Sequence, residues 1–104
     1  MSETFGLKKE TVAAMQAVFA RFPEVGQVII YGSRAKGNYK PNSDIDLTLI
    51  AAEGAELDLS TEFRIDEALD DLLIPYEIDL SRLTSISNPN LVDHIQRVGQ
   101  VFYP

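Results

Sequence analysis

The sequence predicts an α/β or α+β domain in which a β-sheet carries helices packed against it. Three observations predict this. Apolar residues at helical spacing alternate along the chain with short β-branched runs; 104 residues is the length of one ordinary domain; and 45% hydrophobic content supplies one core but not two. The expected order is helix, strand, short helix, strand, helix, strand, helix, with residues 1–104 forming a single unit and no internal repeat or linker.

From Lys8 to Phe22, Val12, Met15, Phe19 and Phe22 recur at spacings of three and four, one face of a helix that Pro23 ends. Val28-Ile29-Ile30-Tyr31 is an apolar run stopped by Gly32, which suits a strand buried on both sides. Ser33 to Gly37 reads as a short helical turn and Asn38 to Ser43 as a loop, followed by a second strand from Ile45 to Ile50. Ala51 to Gly54 forms a turn. Ser60 is the expected N-cap of a helix from Thr61 to Leu73, with a third strand near Tyr76 to Leu80 after Pro75. Asn88-Pro89 opens a last helix in which Leu91, Ile95, Val98 and Phe102 follow at spacings of four, three and four, although Gly99 falls near its end. The acidic residues Asp66, Glu67, Asp70 and Asp71 are expected to form a solvated face of the middle helix, and His94 to be structural or exposed.

Composition excludes several chemistries. With no cysteine and one histidine, thiolate and histidine-built metal sites are ruled out, so a metal would need oxygen ligands. A net charge of -7 opposes direct binding of extended nucleic acid, while leaving room for a small phosphorylated ligand at a local positive spot. No apolar run approaches the ~20 residues a bilayer requires, and the N-terminus lacks the plan of a signal peptide; the expectation is a cytoplasmic protein without a membrane partner.

The chemistry concentrates between Gly32 and Leu47. A phosphate-binding P-loop would place Lys and then Ser or Thr after its second glycine, but Asn38 and Tyr39 follow Gly37. An EF-hand counted from Asp44 would need Gly where Leu49 stands and Glu where Ala55 stands. What remains is geometric. Asp44 and Asp46, two residues apart beside a strand, project to the same side, and two carboxylates that close favour a hard cation such as magnesium or manganese between them. The Gly32-Ser33 turn offers backbone N–H groups and a hydroxyl, and Arg34 and Lys36 add positive charge beside it. On a third strand, Glu77 and Asp79 share one face, and periodicity does not choose between them.

Gly32-Ser33, the spacer of residues 34–43 and Asp44-Ile45-Asp46 resemble the signature of the nucleotidyltransferase superfamily typified by DNA polymerase beta. Tyr31-Gly32-Ser33-Arg34-Ala35-Lys36-Gly37, with Ser43-Asp44-Ile45-Asp46-Leu47, is similar more narrowly to the minimal nucleotidyltransferase (MNT) family of small prokaryotic proteins. The resemblance implies a nucleotidyltransferase fold with a small mixed β-sheet. It implies that Asp44, Asp46 and a third carboxylate are catalytic and hold two Mg2+ ions, with Mn2+ as a substitute. Its apolar-Asp-apolar pattern matches Ile78-Asp79-Leu80, which favours Asp79 over Glu77. Gly32 and Ser33 would grip the nucleotide's phosphates, with Arg34, Lys36 and Ser43 in support.

The implied reaction moves AMP from ATP, or from another nucleoside triphosphate, to a hydroxyl. Larger members of the superfamily carry an acceptor-binding domain, and 104 residues are expected to leave none here. A second protein is then expected to complete the acceptor side, with oligomers formed in its company. MNT proteins are typically paired with a helical HEPN ribonuclease toxin, and the resemblance implies an antitoxin that adenylylates a tyrosine of that partner. The alternatives are a non-catalytic module that neutralises a helical partner by contact, and nucleotidyl transfer to a small molecule.

Overall fold

A computed structural model describes residues 3–104. The chain begins with a hairpin that periodicity did not reveal: β1 (Glu3–Thr4) pairs antiparallel with β2 (Leu7–Lys8). Its two-residue loop, Phe5-Gly6, has positive φ at both positions, the conformation of a tight hairpin turn. Strands this short offered no run long enough to read.

Helix α1 (Lys9–Ala20) buries Met15, Val18 and Phe19, and the chain turns at Arg21 before Pro23. β3 (Val25–Tyr31) leads directly into α2 (Gly32–Lys36), the short helical turn expected there. β4 (Ile45–Ala51) runs antiparallel to β3. α3 (Leu59–Asp70) then crosses over to β5 (Ile78–Arg82), which is parallel to β4, as a strand-helix-strand unit requires. A 3-10 turn at Leu83–Ser85 precedes α4 (Pro89–Val98), which opens as expected, with the Asn88 side chain accepting from the Asn90 N–H. β6 (Gln100–Tyr103) closes the mixed sheet in the order β5-β4-β3-β6.

Several boundaries differ from expectation, among them the end of α3 at Asp70 and not Leu73. α3 is capped by Asp58, not Ser60, because the Asp58 carboxylate accepts the Thr61 N–H at 2.8 Å and starts the helix earlier. β5 starts at Ile78, so Tyr76 and Glu77 precede the strand; the Glu77 carbonyl instead accepts the Ile45 N–H at 2.9 Å. Phe102 belongs to β6 and not to the last helix. Gly99 has extended backbone and abuts the Ile95 carbonyl, and a Cβ there would also meet Ile29 Cγ2 at 2.6 Å, so α4 ends and the chain lies down beside β3.

Alternation along the strands separates the two faces of the sheet. Val28 and Ile30 of β3 and Ile45, Leu47 and Leu49 of β4 point to one side, where Met15 and Phe19 of α1, Ile65 and Leu69 of α3, and Phe102 complete the main core. Tyr31 and Ile95 are buried but lie outside that cluster. They belong to the other face, where α4 meets β3 and α2 and where the polar side chains of β4 and β5 emerge. Asp66, Glu67, Asp70 and Asp71 are exposed, the solvated face expected of the middle helix. Among the described residues no helix is long and apolar enough to cross a membrane.

Candidate active site

The buried run of β3 delivers Tyr31 to the sheet's edge and then turns at Gly32, whose φ is +75°, in the left-handed region that glycine adopts freely. Tyr31 pairs in register with Asp46 of the antiparallel β4. This brings the Asp46 carboxylate under the turn so closely that a Cβ on Gly32 would collide with Asp46 Oδ2. The glycine turn and Asp46 therefore lie against each other.

On the other side of β4, the parallel register places Asp46 directly beside Asp79 of β5. Asp44 is exposed, just before β4 begins. Burial raises the Asp46 carboxyl above its ordinary value, and the negative charges of Asp79 and Asp44 push it further in the same direction. The Tyr31 phenol is also raised, first by burial and then by Asp79 and Asp46, against a lowering hydrogen bond from Ser81. Negative charge thus accumulates here without a paired Lys or Arg among the described ion pairs. That suits a divalent cation with oxygen ligands. The carboxylates stand apart, however: among the described residues, no group of three or more His, Asp or Glu is arranged to hold a metal ion. Asp44, Asp46 and Asp79 fit the charge of such an ion and would have to converge on it.

Register separates the two candidates for the third carboxylate. Asp79 faces Asp46 across the ladder and acts on it electrostatically, whereas Glu77 lies before β5 and is not among the groups that shift Asp46.

Two expected phosphate ligands already make hydrogen bonds within the chain. Arg34 is only 2% exposed; its Nε and Nη2 donate to the Ser43 carbonyl at 3.1 and 2.8 Å, and its Nη1 donates to the Phe5 carbonyl at 2.9 Å. Its guanidinium also lies near the rings of Tyr39 and Tyr76, at 5.2 and 4.7 Å from their centroids. Ser43 Oγ accepts the Lys40 N–H at 2.8 Å. Arg34 and Ser43 therefore brace the loop of residues 37–44 and hold Asp44 at its end. Lys36 is exposed and remains available to a ligand, and Ser33 is half-buried at the turn.

His94 has a structural role, one of the two expected of it, and its place is at the glycine turn. Its Nε2 accepts the Gly32 N–H at 3.1 Å, and its ring meets Tyr31 edge-on at 6.2 Å between centroids. The Gly32 amide is therefore not free, as its place in a turn suggested. Accepting through Nε2 leaves the ring proton on Nδ1. The signal in the sequence was slight: His94 flanks the Leu91, Ile95 face of α4, and nothing local shows that this face meets Gly32, 62 residues earlier.

Comparisons with known proteins identify the family and the fold. A curated relative, "Probable protein adenylyltransferase MntA" of Haemophilus influenzae, is 32% identical over 74 residues, which span 71% of this chain and 63% of that protein. Among solved structures, a toxin-antitoxin with AMP-PNP superimposes with a TM-score of 0.67 at 22% identity, over 92% of this chain and 73% of the other. A tri-AMPylated Shewanella oneidensis HEPN toxin in complex with MNT antitoxin gives 0.64 at 18% identity, over 90% and 70%. At these identities the structures share the fold. The model for "Polymerase beta, Nucleotidyltransferase" matches residues 14–104, a stretch that contains the glycine turn and all three aspartates, and the chain belongs to that nucleotidyltransferase family.

Proposed function

We propose that the protein is a metal-dependent nucleotidyltransferase that moves AMP from ATP to a hydroxyl, a tyrosine of a helical HEPN-type partner, breaking the bond between the α and β phosphates and releasing pyrophosphate, and so acts as an antitoxin. The observation that carries this reading is the apposition of Gly32 with Asp46 and of Asp46 with Asp79. It is supported by the relative named as a protein adenylyltransferase and by the likeness to toxin-antitoxin complexes, one with AMP-PNP and one whose toxin is tri-AMPylated.

In this reading Asp44 and Asp46 would hold the triphosphate's metal, and Asp79 would help to hold a second. When bound, two Mg2+ ions, or Mn2+ in their place, would offset the negative charge of the attacking and leaving oxygens. Ser33 offers its hydroxyl and amide to the phosphates, with Lys36 at the rim. Asp79 accepts the proton of the attacking hydroxyl. Gly32 lets the turn approach Asp46, because a side chain there would strike the carboxylate. Arg34 and Ser43 act indirectly, by fixing the loop that carries Asp44.

Incubation with the cognate helical partner, ATP and Mg2+ tests this by intact-mass spectrometry. Addition of AMP to a partner tyrosine is expected, and its absence with every nucleoside triphosphate overturns the reading. If Asp44→Asn with Asp46→Asn still neutralises the partner, contact alone suffices.

A further inference from the structure

We propose that His94 is a positioning residue of the nucleotide site, fixing the glycine turn in the orientation that binds triphosphate. This rests on the function proposed above and adds to it a residue outside the glycine-aspartate motif. Gly32 at positive φ has many backbone alternatives, so the turn that faces Asp46 needs something to hold it. The ring of His94 supplies that restraint. Its Nε2 takes the Gly32 amide at 3.1 Å, and its edge contact with Tyr31 fixes the ring itself.

The same end of the chain holds α2 a second time, where Gln100 Nε2 donates to the Ala35 carbonyl at 2.8 Å. α4 and β6 therefore grip α2 at two points, one on its first residue and one near its last. Without the acceptor on His94, the partly buried Gly32 N–H would lose its partner and the turn could rotate to find another. The placement of the turn against Asp46, beside which a nucleotide's phosphates would bind, would then no longer be set in advance.

Two variants separate positioning from packing. His94→Phe keeps an aromatic ring against Tyr31 but has no acceptor; His94→Gln restores an acceptor without the ring. Titration calorimetry with AMP-PNP and Mg2+ should show affinity weakened about tenfold in His94→Phe, the worth of one hydrogen bond, and largely recovered in His94→Gln. Affinity in His94→Phe equal to wild type, or His94→Gln as weak as His94→Phe, overturns the proposal while leaving the nucleotidyltransferase reading intact. A wild-type protein that binds no nucleoside triphosphate sinks both.

NMR provides a readout that needs no substitution. In the unmutated protein the His94 Nε2 should show the nitrogen shift of a hydrogen-bond acceptor and keep it when AMP-PNP and Mg2+ are added. Release of Nε2 on nucleotide addition, or its absence as an acceptor from the start, overturns the assignment.

Discussion

Asp46 on β4 lies directly beside Asp79 on β5 in a parallel register, and the charge of Asp79 adds to the negative field that Asp46 must bear. The sheet holds the two strands in that register through buried neighbours on the opposite face, among them Ile45 and Leu47. The core therefore sustains a local repulsion that a bound cation would relieve, and several outcomes follow from that arrangement.

Asp46→Asn and Asp79→Asn should each lower nucleotidyl transfer by about a thousandfold, since each removes a ligand of a metal that stabilises charge in the transition state. Neither should lower the melting temperature of the metal-free protein, because the substitution removes like-charge repulsion. Transfer assays and thermal melts on the same preparations check both halves.

Gly32→Ala should damage the site and the fold together. The new Cβ meets Asp46 Oδ2, and the positive φ costs a non-glycine residue about 1–2 kcal/mol before any displacement of Asp46. Denaturant titration measures the loss of stability, and AMP-PNP binding should be lost with it.

Arg34→Ala should destabilise the protein by about 3 kcal/mol, through the lost hydrogen bonds to Ser43 and Phe5 and the lost stacking between Tyr39 and Tyr76. Arg34→Lys should not rescue it, because an ammonium cannot reproduce the planar fork. Urea denaturation checks the stability. A variant as stable as wild type but weak in nucleotide binding would mean that Arg34 contacts the ligand after all.

Asp58→Ala should shorten α3 at its start and lower the melting temperature at neutral pH, with the deficit disappearing in acid. The Thr61 amide holds the Asp58 carboxyl below its ordinary value. A lowered folded-state value contributes stability above the unfolded Asp value, and that contribution is lost as pH falls through the folded one. Melting curves of the two proteins should therefore converge at low pH and separate at neutral pH.

The site was legible in the sequence where its parts are local. Gly32, Ser33 and Asp46 sit at the facing ends of two adjacent strands, which turn chemistry and strand runs predict, whereas Asp44 lies just before β4, outside the strand whose period was expected to align it with Asp46. Asp79 was legible as one of two candidates, and only the ladder beside β4 distinguishes it from Glu77. The contacts that His94 and Arg34 make were not legible, for a common reason. Their partners, Gly32 for one and Phe5 and Ser43 for the other, are set by tertiary packing that residue type does not encode. β6 was missed because Leu91, Ile95, Val98 and Phe102 keep a helical rhythm across Gly99, and the break comes from the close approach of that glycine to Ile29.

The central claim is that the three aspartates form one metal-dependent nucleotide site, and calorimetric titration of AMP-PNP with and without Mg2+ tests it most directly. Saturable binding to the wild-type protein in Mg2+, lost on chelation and lost in Asp46→Asn with Asp79→Asn, is the expected result. Binding of equal strength in the double variant, or indifferent to the removal of divalent cations, would contradict it.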